Sequence, residues 1–447
     1  MKALAPKSRL TTIVLGIIAV IILLLPFHAF LTVWIASNFG HYTLVRLWKE
    51  FLVLGCGLVV IVWLATDHKV RKAIWSQKLT WIIFAYVALD LIVGFLSYGE
   101  HKVSTEALAY GLLDDLRFLA FFIICWAAAL KAKSLNNYWQ QLILWPAIIV
   151  VGFGLLQMSI LPNNVLVHFG YSAAKTIPPY LTINSNAHYI RILSTLRGPD
   201  PLGAYLILPI TAIVVSLIRF PKRLRLLKIL LLIGAGVVLY GSYSRGAWLG
   251  AVLACLSIGV ILLNRERLNK YKKPLTIAAV VIVLCLVGAF ALLGSSKRFQ
   301  NIIFHTQTGS KTIGSDQAHL SALSQGLQQV SSQPFGEGAG TSGPGSVYNH
   351  RLPARIPENY FLEVGEESGW LGLILFIGIN GLLGWMLYKR RNSPFALTLL
   401  ASLIGITFVN LLTLAWTDDT LSYIWWGLAG LAMVLPEDKP TLAKIKA

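Results

Sequence analysis

Apolar residues run in long blocks along the whole chain, separated at near-regular intervals by short polar stretches that are mostly basic. A helix needs about 20 apolar residues to cross the hydrocarbon of a bilayer. The blocks predict twelve spans, at 11–36, 50–66, 80–98, 112–130, 139–158, 200–218, 226–243, 246–264, 275–294, 367–388, 394–415 and 419–435. They are continuous and lack period-two alternation, which excludes a membrane β-barrel. The first block, Thr11 to Trp34, is too long for a signal-peptide core and lacks a small-residue cleavage site, so it is expected to remain as a span. The expected fold is an all-α polytopic membrane protein of about twelve transmembrane helices, forming a single integral domain over 1–447.

The basic connections orient the spans. With the N-terminus in the cytoplasm, the clusters Lys69/Arg71/Lys72, Lys131/Lys133, Arg219/Lys222/Arg223, Lys270/Lys272/Lys273 and Lys389/Arg390/Arg391 all fall on the cytoplasmic side, as the positive-inside rule requires. The localisation expected is the bacterial cytoplasmic (inner) membrane, with both termini cytoplasmic. Two loops then face outward, 159–198 and 295–366, the second lying between spans 9 and 10. The chain is 56% hydrophobic, so its net charge of +19 reflects topology and gives no reason to expect nucleic acid. Cys56, Cys125, Cys255 and Cys285 all sit in apolar blocks without metal-ligand spacing and read as packing residues.

The chemistry is expected in the large outer loop, where the segment from Ser315 to Trp370 forms a glycine-rich polar island. The informative basic residues are those on the outward side, where positive charge is otherwise avoided. Arg191 and Arg197 precede span 6, and Arg245 lies in the short connection between spans 7 and 8. An arginine so close to apolar helices needs a partner. One reading is structural pairing with Asp90, Asp114, Asp115 or Asp200. The other is a bound anion, since the guanidinium fork suits phosphate. Several arginines converging at the outer face would make a diphosphate site.

At these residues the sequence resembles the O-antigen ligase and polymerase superfamily of multi-spanning glycosyltransferases. Arg191 to Asp200 is similar to the family segment R-x-x-G-T-x-x-x-P-N, with Thr195 and Pro199 kept and with Ser194 and Asp200 where Gly and Asn are usual. Ser244-Arg245-Gly246 resembles the family's S/T-R-G/A turn. Pro334 to Gly338, then Glu358 to Leu362 with Glu367 and Gly369, resemble its large-loop motifs. Two positions depart from the pattern: His319 stands where an arginine is usual, and Glu358 where many ligases carry a histidine before the asparagine.

The resemblance implies metal-independent transfer of a glycan from a polyprenyl-diphosphate-linked donor, in contact with membrane lipids, to a hydroxyl-bearing glycan, lipid or protein acceptor. A polymerase of lipid-linked repeats is the alternative, and a lipid or glycan transporter a further one. Catalytic roles then fall to Arg191 and Arg245 on the leaving diphosphate, His319 beside them, and Glu358 as base, with Arg197, Asn359, Gly336 and Gly338 binding substrate. Glu358 follows Pro357 and is expected to be N-cap-like. Glu363, Glu366 and Glu367 read as helix-face charges, and Asp418/Asp419 as a solvated outer turn. No cofactor is expected, and no metal site: His305, His319 and His350 lack ligand spacing.

Overall fold

The computed structural model describes residues 9–183, 186–262 and 315–438. Helices α1 (Arg9–Leu24), α2 (His28–Phe39), α3 (Tyr42–Arg46), α4 (Trp48–Thr66), α5 (His68–Trp75), α6 (Lys78–Gly99), α7 (Thr105–Lys131) and α8 (Trp139–Ser159) come first. A hairpin of β1 (Leu181–Ile183) and β2 (Asn186–Arg191) precedes α9 (Pro199–Arg219), α10 (Arg225–Gly241) and α11 (Arg245–Leu262). The remaining helices are α12 (Ser315–Ser332), α13 (Tyr360–Tyr388), α14 (Pro394–Asn410) and α15 (Asp419–Ala432).

Each expected span on described residues coincides with a helix, and the one at 275–294 lies outside the described residues. Seven of the described helical segments are long and apolar enough to cross a membrane. The α4 helix shows why lipid is the fitting solvent. Val53, Cys56, Val60 and Trp63 are buried on one face, yet Leu54, Leu58 and Ile61 are exposed on the other. A helix apolar all round is stable only when lipid covers what protein does not. Two departures from expectation concern local structure. The antiparallel β1–β2 hairpin was not foreseen, and α13, which starts at Tyr360 close to the expected helix start, reaches beyond the bounds of the expected span at 367–388.

Near the centre, α9 is the most enclosed of the long helices, packed against α10, α11 and α14. Phe118 and Phe122 of α7 stack with Trp416 and Trp426, and the Trp425 indole donates to Ser402 Oγ at 3.0 Å. These contacts fasten α7 and α14 to α15 and to the turn before it.

Pro26 breaks the first span. Lacking an N–H, it cannot continue the helical ladder, and a 3₁₀ turn at Leu25–Phe27 separates α1 from α2. Carbonyls of that turn find acceptable donors elsewhere: Thr420 Oγ1 donates to Leu25 O at 3.1 Å and Thr195 Oγ1 to Pro26 O at 2.8 Å. Irregular backbone at this depth is tolerated because protein satisfies it. The same two bonds draw the 3₁₀ turn against the start of α15 and the segment before α9.

Candidate functional site

The starts of α7, α9, α11, α13 and α15 gather at one end of the bundle. Arg191 closes β2 there. Its Nε donates to Ser242 O at 2.9 Å, and its Nη2 pairs with Asp200 Oδ1 at 2.7 Å. The structural pairing with Asp200 is therefore present. A guanidinium carries five N–H donors, and the Nη1 group of Arg191 has no partner among the described residues. Ser242 begins the short turn into α11, whose first residue is the half-buried Arg245. Arg191 and Arg245 thus flank one turn.

Glu358 stands two residues before α13, half-exposed, with a left-handed φ of 52°. The cap itself is Asn359, a correction to the N-cap-like reading of Glu358. Asn359 Oδ1 accepts from Phe361 N and Leu362 N at 2.9 and 3.1 Å, and its Nδ2 donates to Leu411 O at 3.0 Å. Both ends of that buried amide are engaged within the fold. The connection after α14 links this corner to Arg245. Leu411 receives Asn359, while Leu412 lies against Gly246, where an added Cβ would come within 3.3 Å of it. Contacts and chain neighbours therefore link Arg191, the 242–244 turn, Gly246 beside Arg245, the 411–412 turn and Asn359, the residue after Glu358.

Helix α12 packs on the start of α13. A Cβ at Gly326 would meet Leu362 at 3.0 Å and Pro357 at 3.3 Å. His319 lies two turns before Gly326 on this helix, about 10 Å along its axis; its side chain lies outside the described residues.

Gly336 and Gly338, expected on the substrate, instead meet backbone and side chains of α13 and α6. Trp370 N donates to Pro334 O, Glu337 N to Glu366 O and Gly338 N to Glu367 O, at 3.0, 2.8 and 2.8 Å. This latch fits into a notch where Gly369 breaks the helical path of α13 with φ of 68°. Any Cβ at Gly336 or Gly369 would overlap the partner's backbone, so glycine is required at both. On its far side, a Cβ at Gly338 would lie 2.6 Å from Ser97 Cβ.

The acidic residues depart furthest from expectation. Glu363, Glu366 and Glu367 are buried to 2% exposure, not helix-face charges; Glu367 faces Asp90 and Asp115, and Glu363 faces Asp115. The glycine-rich loop needs acceptors for its backbone. Glu367 Oε1 takes Gly340 N at 2.8 Å and Ser342 N at 3.2 Å, while Ser342 Oγ donates to Glu366 Oε2 at 2.7 Å. Buried N–H groups must be paired, which places these carboxyls inward. Nor do Asp418 and Asp419 form a solvated turn. Asp419 is 7% exposed and is held by Arg117, by Lys49 Nζ at 2.9 Å and by His28 Nε2 at 3.4 Å. A carboxylate this deep persists only with such partners. Among the described residues, no group of three or more His, Cys, Asp or Glu side chains is placed to hold a metal ion.

Arg197 does not join Arg191. It is exposed and lines a cavity of about 330 Å³ with His28, Arg46, Lys175, Asp418 and Asp419. Arg191 lines a separate, much smaller hollow with Gln157 and Tyr180. Sequence reasoning passed over Arg46, Lys49 and Arg117. The signal was available: each lies near the expected outer end of a span, as do Arg191, Arg197 and Arg245.

Residues 230–377 match the family model described as O-antigen ligase. The match runs from α10 through α12 into α13, and it bears out the resemblance to the O-antigen ligase and polymerase superfamily over that segment. No curated protein matches the chain.

Proposed function

We propose, with the O-antigen ligase match over residues 230–377 as premise, that the chain is a membrane glycosyltransferase. It moves a glycan from a polyprenyl diphosphate carrier to an acceptor hydroxyl at the outer face of the cytoplasmic membrane. The observation that carries this reading is a coincidence of strain. Among the described residues, six non-glycine residues have left-handed φ, and three of them belong to or directly precede the family segments: Ser194, Tyr243 and Glu358. Such conformations cost about 1–3 kcal/mol each and concentrate where geometry serves function. Ser194 stands where the family has glycine, the residue that adopts its φ of 50° without strain.

In this reading the acceptor oxygen attacks the anomeric carbon as the bond to the diphosphate oxygen breaks. Negative charge grows on the leaving group, where fixed cations stabilise it. Arg191 is oriented for this by Asp200 and Ser242 O, and its Nη1 hydrogens face no competing acceptor among the described residues. Arg245 supplies the second guanidinium from across the turn. The acceptor proton passes to the carboxylate of Glu358, which Asn359 positions by anchoring the helix start to Leu411. His319, carried by α12, adds a donor beside the diphosphate.

The test is glycan transfer in reconstituted membranes with defined lipid-linked donor. Arg245→Ala is expected to abolish transfer while the protein stays folded, and Arg245→Lys to restore only part, because charge is kept and the fork is lost. Glu358→Gln should lower turnover by about 10²–10⁴-fold with donor binding nearly unchanged, and Glu358→His should retain partial activity with an altered pH profile. Normal transfer by Arg245→Ala refutes the diphosphate assignment. In cells, loss of the protein should leave polymerised glycan on its carrier; accumulation of single repeats would identify a polymerase instead.

A further inference from the structure

The cavity beside α2, α3 and the start of α15 is larger than anything the diphosphate chemistry at Arg191 requires, and it does not share lining residues with the Arg191 hollow. Its volume of about 330 Å³ lies within the range of small-molecule sites, about 300–1,000 Å³.

Its charges are unbalanced in one direction. Arg197 and Lys175 have no side-chain hydrogen bond or ion pair among the described residues. Arg46 is oriented by Tyr110, whose hydroxyl it meets at 2.8 Å and whose ring lies 5.4 Å from its Cζ. Two carboxylates also line the cavity, and neither makes a hydrogen bond or ion pair with Arg197 or Lys175 among the described residues. Asp419 is held by Arg117 and Lys49, 4.0 Å from Arg46. Asp418 Oδ1 accepts from Leu421 N at 3.1 Å as the cap of α15. Exposed cations that face a common cavity without an ion-pair partner among the described residues suit an anionic ligand. Hydroxyls of Thr32, Tyr42 and Tyr348 share the lining, so the ligand is offered neutral hydrogen-bonding partners as well as charge.

We propose that this cavity is a subsite for a negatively charged sugar residue, one bearing a carboxylate or a phosphate. The proposal rests on the glycosyltransferase reading, and it gives the substrate a second anionic feature apart from the diphosphate. The glycan handled by this protein would then carry an acidic residue, read by Arg197, Lys175 and Arg46.

The experiment is saturation-transfer NMR on the full-length protein in neutral detergent, with four probes: glucuronate, glucose 1-phosphate, glucose and inorganic phosphate. Glucuronate and glucose 1-phosphate are expected to bind in a salt-sensitive manner, at least about tenfold more tightly than glucose or inorganic phosphate. Arg197→Gln and Lys175→Gln, both at exposed positions, should each weaken the acidic sugars about fivefold and leave glucose unchanged. Arg245→Ala should bind the acidic sugars as the unaltered protein does, which separates this subsite from the diphosphate assignment. Equal binding of glucose and glucuronate overturns the proposal. So does unchanged affinity in both glutamine variants. Inorganic phosphate binding as tightly as glucose 1-phosphate would make this a site for free phosphate or a lipid headgroup, and would also overturn it.

Discussion

Replacing Asp419 by asparagine removes one charge and almost no volume from the centre of a buried ionic cluster. Asp419 accepts from Lys49 at 2.9 Å, from Arg117, and faces Arg46 at 4.0 Å. The Lys49 side chain is 1% exposed and that of Arg117 4%. Breaking a buried pair costs about 3–5 kcal/mol, because the remaining charge stays desolvated. Here Lys49 and Arg117 each keep one further carboxylate. Lys49 meets Glu50 at 2.8 Å, and Arg117 meets Asp114. The loss should therefore fall near the lower end, about 3 kcal/mol, which corresponds to a fall in melting temperature of about 3 °C. Tryptophan fluorescence during heating of the purified protein in detergent will measure it, since Trp416, Trp425 and Trp426 lie beside the cluster. A double-mutant cycle sharpens the test. Lys49→Met should cost less in the Asp419→Asn background than alone. A melting temperature within about one degree of the original, or strict additivity with Lys49→Met, would refute the assignment of Asp419 as the hub.

Gly369→Ala should displace the glycine-rich latch, losing up to three backbone hydrogen bonds and forcing a left-handed alanine. A loss of about 3 kcal/mol and faster proteolysis between 333 and 359 are expected, and unchanged protection would contradict the latch. Burial raises the Asp418 carboxyl to about 6, with Asp419 adding to the shift and Arg197 opposing it. As pH falls through about 6 Asp418 gains a proton and the cavity becomes more positive. Glucuronate affinity should then rise between pH 7 and 5, and the rise should vanish in Asp418→Asn. Because the folded carboxyl holds its proton more tightly than the unfolded one, stability should also gain, not lose, from this group over the same descent. Single cysteines at Val347, which is exposed beside the buried Ser346, and at Pro221 should label from opposite sides of the membrane, Val347 from outside, and reaction of both from one side would overturn the orientation.

The helical scaffold was legible because lipid imposes one rule on every spanning segment: satisfy the backbone internally and present apolar side chains. That rule acts residue by residue, so a run such as 200–218 predicts α9 without knowledge of its neighbours. Arg191, Arg245 and Glu358 were singled out by charge placed where it is disfavoured and by the family pattern. Polar residues inside the bundle were not. Glu366 and Glu367 have the spacing of ordinary helix-face charges, and only the docking of the 334–342 loop turned them inward as acceptors for its N–H groups. Asp419 reads as a turn residue until Lys49 and Arg117, far away in the chain, converge on it. The same holds for the cavity. Arg46, Lys175 and Arg197 lie on three separate segments, and only the packed fold brings them to one cavity. Apolar periodicity is a local property and survives in the sequence. The pairing of buried charges is a property of contacts between distant segments, and tertiary packing alone decides it.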